Sequence, residues 1–409
     1  MLNRRIFLTR TMQGVTAVAA TRLVSSERLQ AANDRIRIGL IGAGSRGQEI
    51  LRAALRCPNV EGVAVADVYT RRLEEVKAAV PGIKAYPDFR RMLDDPSIDA
   101  VLIATPQHQH ALNFVPAIQA GKDVYQEKTM AFNPDHAKRM RKAFQSSGRV
   151  VQIGMQMNSG PGIREVVQWA TPERLGTITA LQTFHFRNQP YGGWLREIPS
   201  DCDPQHVDWP GFEGEASHHA FDPQRYMNWR FYWDYSGGNV FENMVHQVGF
   251  WYAALRLNIP DTVTMTGANY LSPKMQVPDI MNVVMQQPEK MLFTWNSMFS
   301  NDAYGEGCDY LFGTQGTLTH TASDQVLYRP QGQKADDRAG SPGRAPAATG
   351  YFDSTGNHLQ NFFDCVRSRQ EPVCPFELGF RSAIACQMAI ASYRQQRPVR
   401  WDAPKEDIV

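Results

Sequence analysis

The stretch Arg35-Ile36-Arg37-Ile38-Gly39-Leu40-Ile41-Gly42-Ala43-Gly44-Ser45-Arg46-Gly47 decides how this chain folds. It opens with an apolar run, the mark of a parallel strand covered on both faces. It closes with three glycines spaced G-x-G-x-x-G, followed by a helical pattern through Gln48, Leu51 and Leu55. Each glycine meets a separate demand. Gly42 permits a tight turn, Gly44 lets main chain approach a pyrophosphate, and Gly47 lets helix and strand pack closely. The first helical turn, with Ser45 and Arg46, would offer free N–H groups and a positive dipole end to phosphate. A glycine triplet alone is weak. Here a second apolar strand over residues 62–66 ends in Asp67, about twenty residues beyond Gly47, where an acid that accepts ribose hydroxyls belongs.

The alternation continues outward from that stretch. Helical patterns over residues 69–80, 88–93, 109–120 and 134–147 separate strand patterns at 83–86, 98–104, 123–126 and 150–153. Strands alternating with helices predict a doubly wound parallel sheet with right-handed crossovers. After Gly154 the pattern changes. A helix over 162–169 leads to strands at 177–186, 262–270, 282–287, 290–299, 310–313, 317–321 and 326–328, with no second glycine triplet. This reads as a large, open, mostly antiparallel sheet with helices on one face, and a second copy of the chain is the expected cover for the other. The fold class is therefore α/β plus α+β. The expected divisions are residues 1–31, 32–154 and 155–409. An aromatic insertion spans residues 189–235, a Gly-, Pro- and Ala-rich loop spans 330–349, and helices follow at 358–368 and 378–395.

At 409 residues, with 43% hydrophobic and 21% charged residues, the chain suits two soluble domains. A net charge of +2 gives no reason to expect nucleic acid. Six cysteines without a C-x-x-C pair predict neither a zinc site nor a disulfide framework, although a Cys365–Cys374 bond is available in an oxidising compartment. The N-terminus carries Asn3-Arg4-Arg5-Ile6-Phe7-Leu8, a mild apolar stretch, and small residues at Ala31-Ala32. This resembles a twin-arginine export signal and predicts a periplasmic or otherwise exported protein that engages that export machinery. That route carries folded proteins, so a dinucleotide bound before export is expected to be held tightly.

Three constellations carry chemistry. Thr105-Pro106-Gln107-His108-Gln109-His110 follows the fourth strand, at the sheet edge where ligands bind in such folds. Glu127-Lys128-Thr129 follows the fifth and pairs an acid with a lysine that could meet a ribose and a substrate hydroxyl. In the second domain, Glu242 and His246 stand four apart on a predicted helix, so the carboxylate can orient the imidazole for proton transfer. No third ligand accompanies them, so no metal is expected.

With these residues in view, the chain resembles the Gfo/Idh/MocA oxidoreductase family over residues 35–402. The Glu127-Lys128 pair and the Glu242/His246 helix make the likeness specific. The segments Asp208-Trp209, Asn228-Trp229-Arg230-Phe231-Tyr232-Trp233 and Asn361-Phe362-Phe363-Asp364 look like its exported branch. The resemblance implies a Rossmann domain followed by an open-sheet substrate domain. It implies hydride transfer between NAD(P) and a sugar, polyol or glycoside carbon. It carries the catalytic lysine onto Lys128, an aspartate–histidine pair onto Glu242 and His246, and a Thr-Pro-Asn-x-x-His stretch onto Thr105, Pro106, Gln107 and His110. Thr129 replaces proline, Glu242 replaces aspartate, and Gln247 stands where the exported branch often has a second histidine. These departures predict an altered substrate preference with cofactor binding kept.

The expected cofactor-binding residues are thus Gly42, Gly44, Ser45, Arg46, Gly47, Asp67, Thr105, Pro106, His110 and Glu127. Lys128, His246 and Glu242 are the expected catalytic residues, and Arg225, Trp229 and Arg230 the expected sugar contacts. Asp67 favours NAD, while Arg71 and Arg72 leave NADP open. Two other readings share this sequence. One is a NAD-dependent glycosidase working by transient oxidation and elimination; the other is a non-catalytic nucleotide-binding protein. A homodimer or homotetramer is expected.

Overall fold

The computed structural model describes residues 35–304, 306–332 and 354–409. The twin-arginine stretch and most of the 330–349 loop lie outside them. Six strands form the first sheet: β1 (Ile36–Ile41), β2 (Val60–Ala66), β3 (Lys84–Tyr86), β4 (Ala100–Ile103), β5 (Asp123–Gln126) and β6 (Val151–Ile153), all parallel, in the order β3-β2-β1-β4-β5-β6. In β1 only Arg37 is exposed, and its main-chain N–H donates to Asp99 Oδ2 at 2.7 Å. The chain reverses its order of travel beside β1, so a crevice opens between the carboxyl ends of β1 and β4.

The glycine loop is tight for steric reasons. Gly42 takes φ +89°, and a Cβ there would meet the main-chain nitrogen of Thr105 at 2.8 Å. A Cβ on Gly47 would collide with the Gly42 carbonyl oxygen. The helix Ser45–Ala54 can therefore lie close on the sheet and bury Ile50, Leu51, Ala53 and Ala54.

The second sheet has nine strands: β7 (Ile178–Phe186), β8 (Thr262–Ala268), β9 (Ile280–Gln287), β10 (Met291–Met298), β11 (Glu306–Gly313), β12 (Gly316–His320), β13 (Val326–Pro330), β14 (Val399–Asp402) and β15 (Asp407–Ile408), ordered β13-β12-β11-β7-β10-β9-β8-β14-β15. Only β7 and β10 run parallel. Burial alternates along β9, with Met281, Val283 and Met285 inside. Helices Val245–Leu255 and Phe376–Gln395 join those residues in one core.

Three features differ from the sequence reading. Strands β14 and β15 extend the second sheet at the C-terminus. Helix Ser354–Ser368 returns to the first sheet, where Leu359, Phe362 and Phe363 join Ile36, Ile38 and Leu102 in one core, so chain order and spatial order part there. The predicted helix bearing Glu242 is a π-turn, Val240–Met244, that runs into the α-helix Val245–Leu255. All six cysteines are buried and free, so no Cys365–Cys374 bond forms. Among the described residues no helix is long and apolar enough to cross a membrane.

The insertion is fastened to the first domain beside the end of β2. Asp208 N–H donates to the Val68 carbonyl at 2.9 Å, and Thr70 N–H to the His206 carbonyl at 3.0 Å. Tyr69 donates its hydroxyl to Asp201 at 2.7 Å, and Arg71 pairs with the same carboxylate at 2.8 Å. Tyr69 also joins Trp209, Phe212, Tyr226 and Tyr235 in an aromatic core.

Candidate active site

A cleft of about 370 Å³ runs along the carboxyl edge of the parallel sheet, under the insertion. Gly42, Gly44, Ser45, Arg46, Asp67, Thr105 and Pro106 line one side; Trp194, Arg196, Tyr226, Trp229 and Arg230 line the other. The loop fits a dinucleotide on two grounds. A Cβ on Gly44 would meet nothing nearer than Arg72, at 3.7 Å, so the glycine leaves space that its own packing does not need. The helix starting at Ser45 has no side-chain cap on its N-terminus, which leaves first-turn N–H groups for an anion. Asp67 rivets the loop by accepting N–H bonds from Ala43 (2.6 Å) and Tyr69 (2.9 Å). A carboxylate offers about four lone-pair sites, so two remain for ribose hydroxyls. Arg72 stands 3.7 Å from it and packs over the Tyr226 ring at 5.0 Å.

Other expected contacts lie behind the cleft wall. His110 is buried between the main-chain carbonyls of Thr129 (2.7 Å) and Thr105 (2.9 Å), and burial holds its imidazole below the ordinary value. It ties the loops after β4 and β5 together and does not line the cleft. Glu127 is buried against Arg46 Nε at 2.8 Å and accepts from Gln156 at 3.2 Å. Gly47 serves packing. Arg225 turns away from the cleft: it pairs with Asp234 at 3.0 Å and lies over the Tyr232 ring.

The two domains meet chemically at Glu242. Its Oε2 accepts from Lys128 Nζ at 2.8 Å, and its Oε1 accepts from Gln107 and lies 3.2 Å from Arg230 Nε. Burial would raise this carboxyl, but the Arg230 and Lys128 cations overcome it and hold the group well below the usual carboxylate range. Glu242 therefore does not orient His246. Two cations outbid a neutral ring for the carboxylate, and the π-turn alters the angular step between the two positions. Thr129 donates its hydroxyl to the Phe241 carbonyl inside that π-turn at 2.8 Å.

His246 borders a second cavity of about 250 Å³ with Gln156, His185 and Asn243. Burial, then the nearby Lys128 and Arg46 cations, holds its imidazole far below the ordinary value and so neutral. Its Nδ1 is buried without a hydrogen bond among the described residues.

Sequence reasoning passed over Gln156, Arg196 and Tyr226. Gln156 follows β6, so the strand-end rule would have reached it. Arg196 and Tyr226 sit in irregular chain, where no periodicity flags a residue.

Residues 36–155 match the model of an oxidoreductase family with an NAD-binding Rossmann fold, GFO_IDH_MocA. That stretch is similar to the dinucleotide-binding domain of the Gfo/Idh/MocA oxidoreductases. The chain is 32% identical to inositol 2-dehydrogenase 3 of Saccharopolyspora erythraea, across 37% of this chain and 45% of that one. It is 25% identical to the uncharacterized oxidoreductase YrbE of Bacillus subtilis, across 46% and 52%. The chain thus spans about half the length of the curated relatives it matches. Its fold extends further. The WlbA dehydrogenase of Bordetella pertussis, solved with NADH and UDP-GlcNAcA, aligns over 90% of this chain and 98% of its own, at 20% identity and a TM-score of 0.69. A levoglucosan dehydrogenase solved with NADH and levoglucosan covers 92% and 99%, at 17% identity and a TM-score of 0.67. The likeness in fold to these two dehydrogenases therefore continues through the second sheet.

Proposed function

We propose that this protein transfers a hydride between NAD and a hydroxyl-bearing carbon of a sugar, polyol or glycoside. The family match and the inositol dehydrogenase relative support this reading. The observation that carries it is the Lys128–Glu242 pair, drawn from two domains to the sheet edge that also bears the glycine loop. When bound, the dinucleotide supplies the hydride acceptor. The Ser45 helix terminus binds its phosphates, and Asp67 accepts its ribose hydroxyls. Arg71 is engaged by Asp201 and Arg72 stands beside Asp67, so both arginines already have a carboxylate and NAD is favoured over NADP. The Lys128 ammonium, held by Glu242, donates to the substrate oxygen and stabilises negative charge developing there. His246 borders the adjoining cavity, so in this reading it receives the hydroxyl proton as a weak base, held neutral by burial and by the Lys128 and Arg46 cations, and passes it on to solvent there.

The insertion over the cleft suits a cofactor retained through export, and the N-terminal twin arginines suit that route to the periplasm. A second copy covering the open sheet face completes the picture as a homo-oligomer. The test is product analysis. The nucleotide released by denaturation is identified, then a glycoside panel is screened by mass spectrometry for a keto product. Lys128→Met should lower turnover by about a hundredfold or more while nucleotide stays bound. Unchanged turnover in that variant would overturn the assignment.

A further inference from the structure

On the side of the insertion the cleft is lined, among the described residues, by two arginines, Arg196 and Arg230, and by no acid. Lys128 and Arg230 share one carboxylate, Glu242. Arg196 lines the same cleft, from the insertion. Its Nη1 donates to the main-chain carbonyls of Gly193 (2.8 Å) and Leu195 (3.3 Å), and among the described residues no carboxylate pairs with it. The residue is exposed at the cleft, and partial burial and the neighbouring Arg230 cation both lower its guanidinium. The other arginines of the cleft are satisfied: Arg46 by Glu49 and Glu127, Arg72 by Asp67.

Arg196 is also anchored. Its main-chain N–H donates to Asn228 Oδ1 at 2.7 Å, and Asn228 Nδ2 donates back to its carbonyl at 3.3 Å. Asn228 is 1% exposed, so this support is part of the core. Trp194 and Trp229 line the same wall, and the Arg230 guanidinium lies over the Trp229 ring at 4.2 Å. Such a wall gives a sugar an apolar face to stack on beside a charged fork.

The position along the cleft separates this charge from the cofactor's phosphates. Through Glu242, Arg230 is tied to Gln107 after β4 and Lys128 after β5, whereas the glycine loop follows β1. Two like charges side by side repel. A planar guanidinium pair offers the fork geometry that matches a carboxylate or a phosphate.

We infer that Arg196 and Arg230 form a subsite for a negatively charged substituent, a carboxylate or a phosphate, on the sugar this protein takes. This rests on the proposed function, because it specifies which sugars enter the same cleft.

The test measures binding rather than turnover. Nucleotide-loaded, full-length protein is titrated by calorimetry with matched sets in the gluco and galacto series: methyl glycoside, methyl uronide and hexose 6-phosphate. The charged member of one set should bind about tenfold or more tightly than its neutral partner, with an affinity that falls as salt rises. Whichever charged member wins tells carboxylate from phosphate. Arg196→Met should erase the preference and Arg196→Lys restore part of it, with thermal melting used to check that both fold. Equal binding of charged and neutral sugars, or none, overturns the subsite. So does an Arg196→Met variant that keeps the preference or instead loses NADH affinity. A charged-sugar preference without any keto product supports the subsite and refutes hydride transfer. Keto product from neutral sugars without a preference does the reverse.

Discussion

Gly44 and Gly47 stand three residues apart and should fail differently when given side chains. At Gly44 the nearest atom is Arg72, at 3.7 Å, so Gly44→Val should fold with little change in melting temperature yet lose about a hundredfold or more in NADH affinity, read by calorimetry. At Gly47 the added carbon meets the Gly42 carbonyl, so Gly47→Ala should destabilise the domain by about 1–3 kcal/mol, read by urea unfolding. Similar losses of stability at both sites would contradict the cradle. His320 gives a prediction in pH. It is buried, 2.8 Å from Asp324 through Nε2 and at the longer ion-pair distance of 3.8 Å from Asp309 through Nδ1. Burial alone would lower the imidazole; the two carboxylates push it up to about 9. A raised value stabilises the fold fully below the unfolded value of about 6.5, and that contribution, up to ~3 kcal/mol, is lost as pH rises through about 9. Wild-type stability should therefore fall more steeply than that of His320→Gln between about pH 6 and pH 10. Parallel urea-melt curves would show that the ring is not charged in the fold.

At the scale of elements, the helix Val245–Leu255 is fixed on the second sheet by a polar bridge. Gln247 donates to Asp309, accepts from Trp295 Nε1 at 2.7 Å, and thereby joins β10 and β11 beneath the helix; Trp251 Nε1 donates to the same Asp309 at 2.7 Å. Gln247 thus serves the core, and it also lines the cavity that His246 borders. Gln247→Leu strands a buried indole N–H and one oxygen of the Asp309 carboxylate, and should cost about 3 kcal/mol, seen as a melting temperature several degrees lower. The same helix shows where reading from periodicity stops. Its existence and the placement of His246 on it were legible; that Glu242 sits on a π-turn ahead of it was not. Which group Glu242 would bind was not, because Lys128, Gln107 and Arg230 come from three distant stretches and compete with the ring one turn away. The strands of the first sheet were legible for the opposite reason: continuous apolar runs between glycines leave one arrangement.

At the scale of the whole molecule, the second sheet has one face that no other described residues cover at Val284, Leu292 and Leu327. Val284 on β9, Leu292 on β10 and Leu327 on β13 are exposed on it, at 39%, 45% and 49%. Register places them on one side, since Val284 pairs with Thr294 and Leu292 with Gln286. If this face joins two copies, Val284→Asp with Leu292→Asp should turn the wild-type oligomer into monomer by sedimentation while melting stays cooperative. A wild-type monomer would refute the interface. The insertion adds the other large-scale feature. It is fastened to the first domain at Tyr69, Thr70 and Arg71 and lines the cleft, so loosening those contacts is expected to speed the loss of a bound nucleotide. Asp201→Ala removes the partner of both Tyr69 and Arg71, and should speed NADH release several-fold in stopped-flow displacement.

The sequence alone determined the parallel sheet, its glycine loop and the acid at the end of β2, because each depends on neighbours within a short window: apolar runs, a steric need for glycine, a fixed spacing. It also determined that a second, mostly antiparallel sheet follows. Only the tertiary structure decided who pairs with whom. It gave Glu242 to Lys128 and Arg230, buried His110 between two main-chain carbonyls, turned Arg225 outward, and brought Arg196 to the cleft. Those outcomes follow from competition among charges and donors far apart in the chain, and such competition is settled only when burial removes water as the alternative partner.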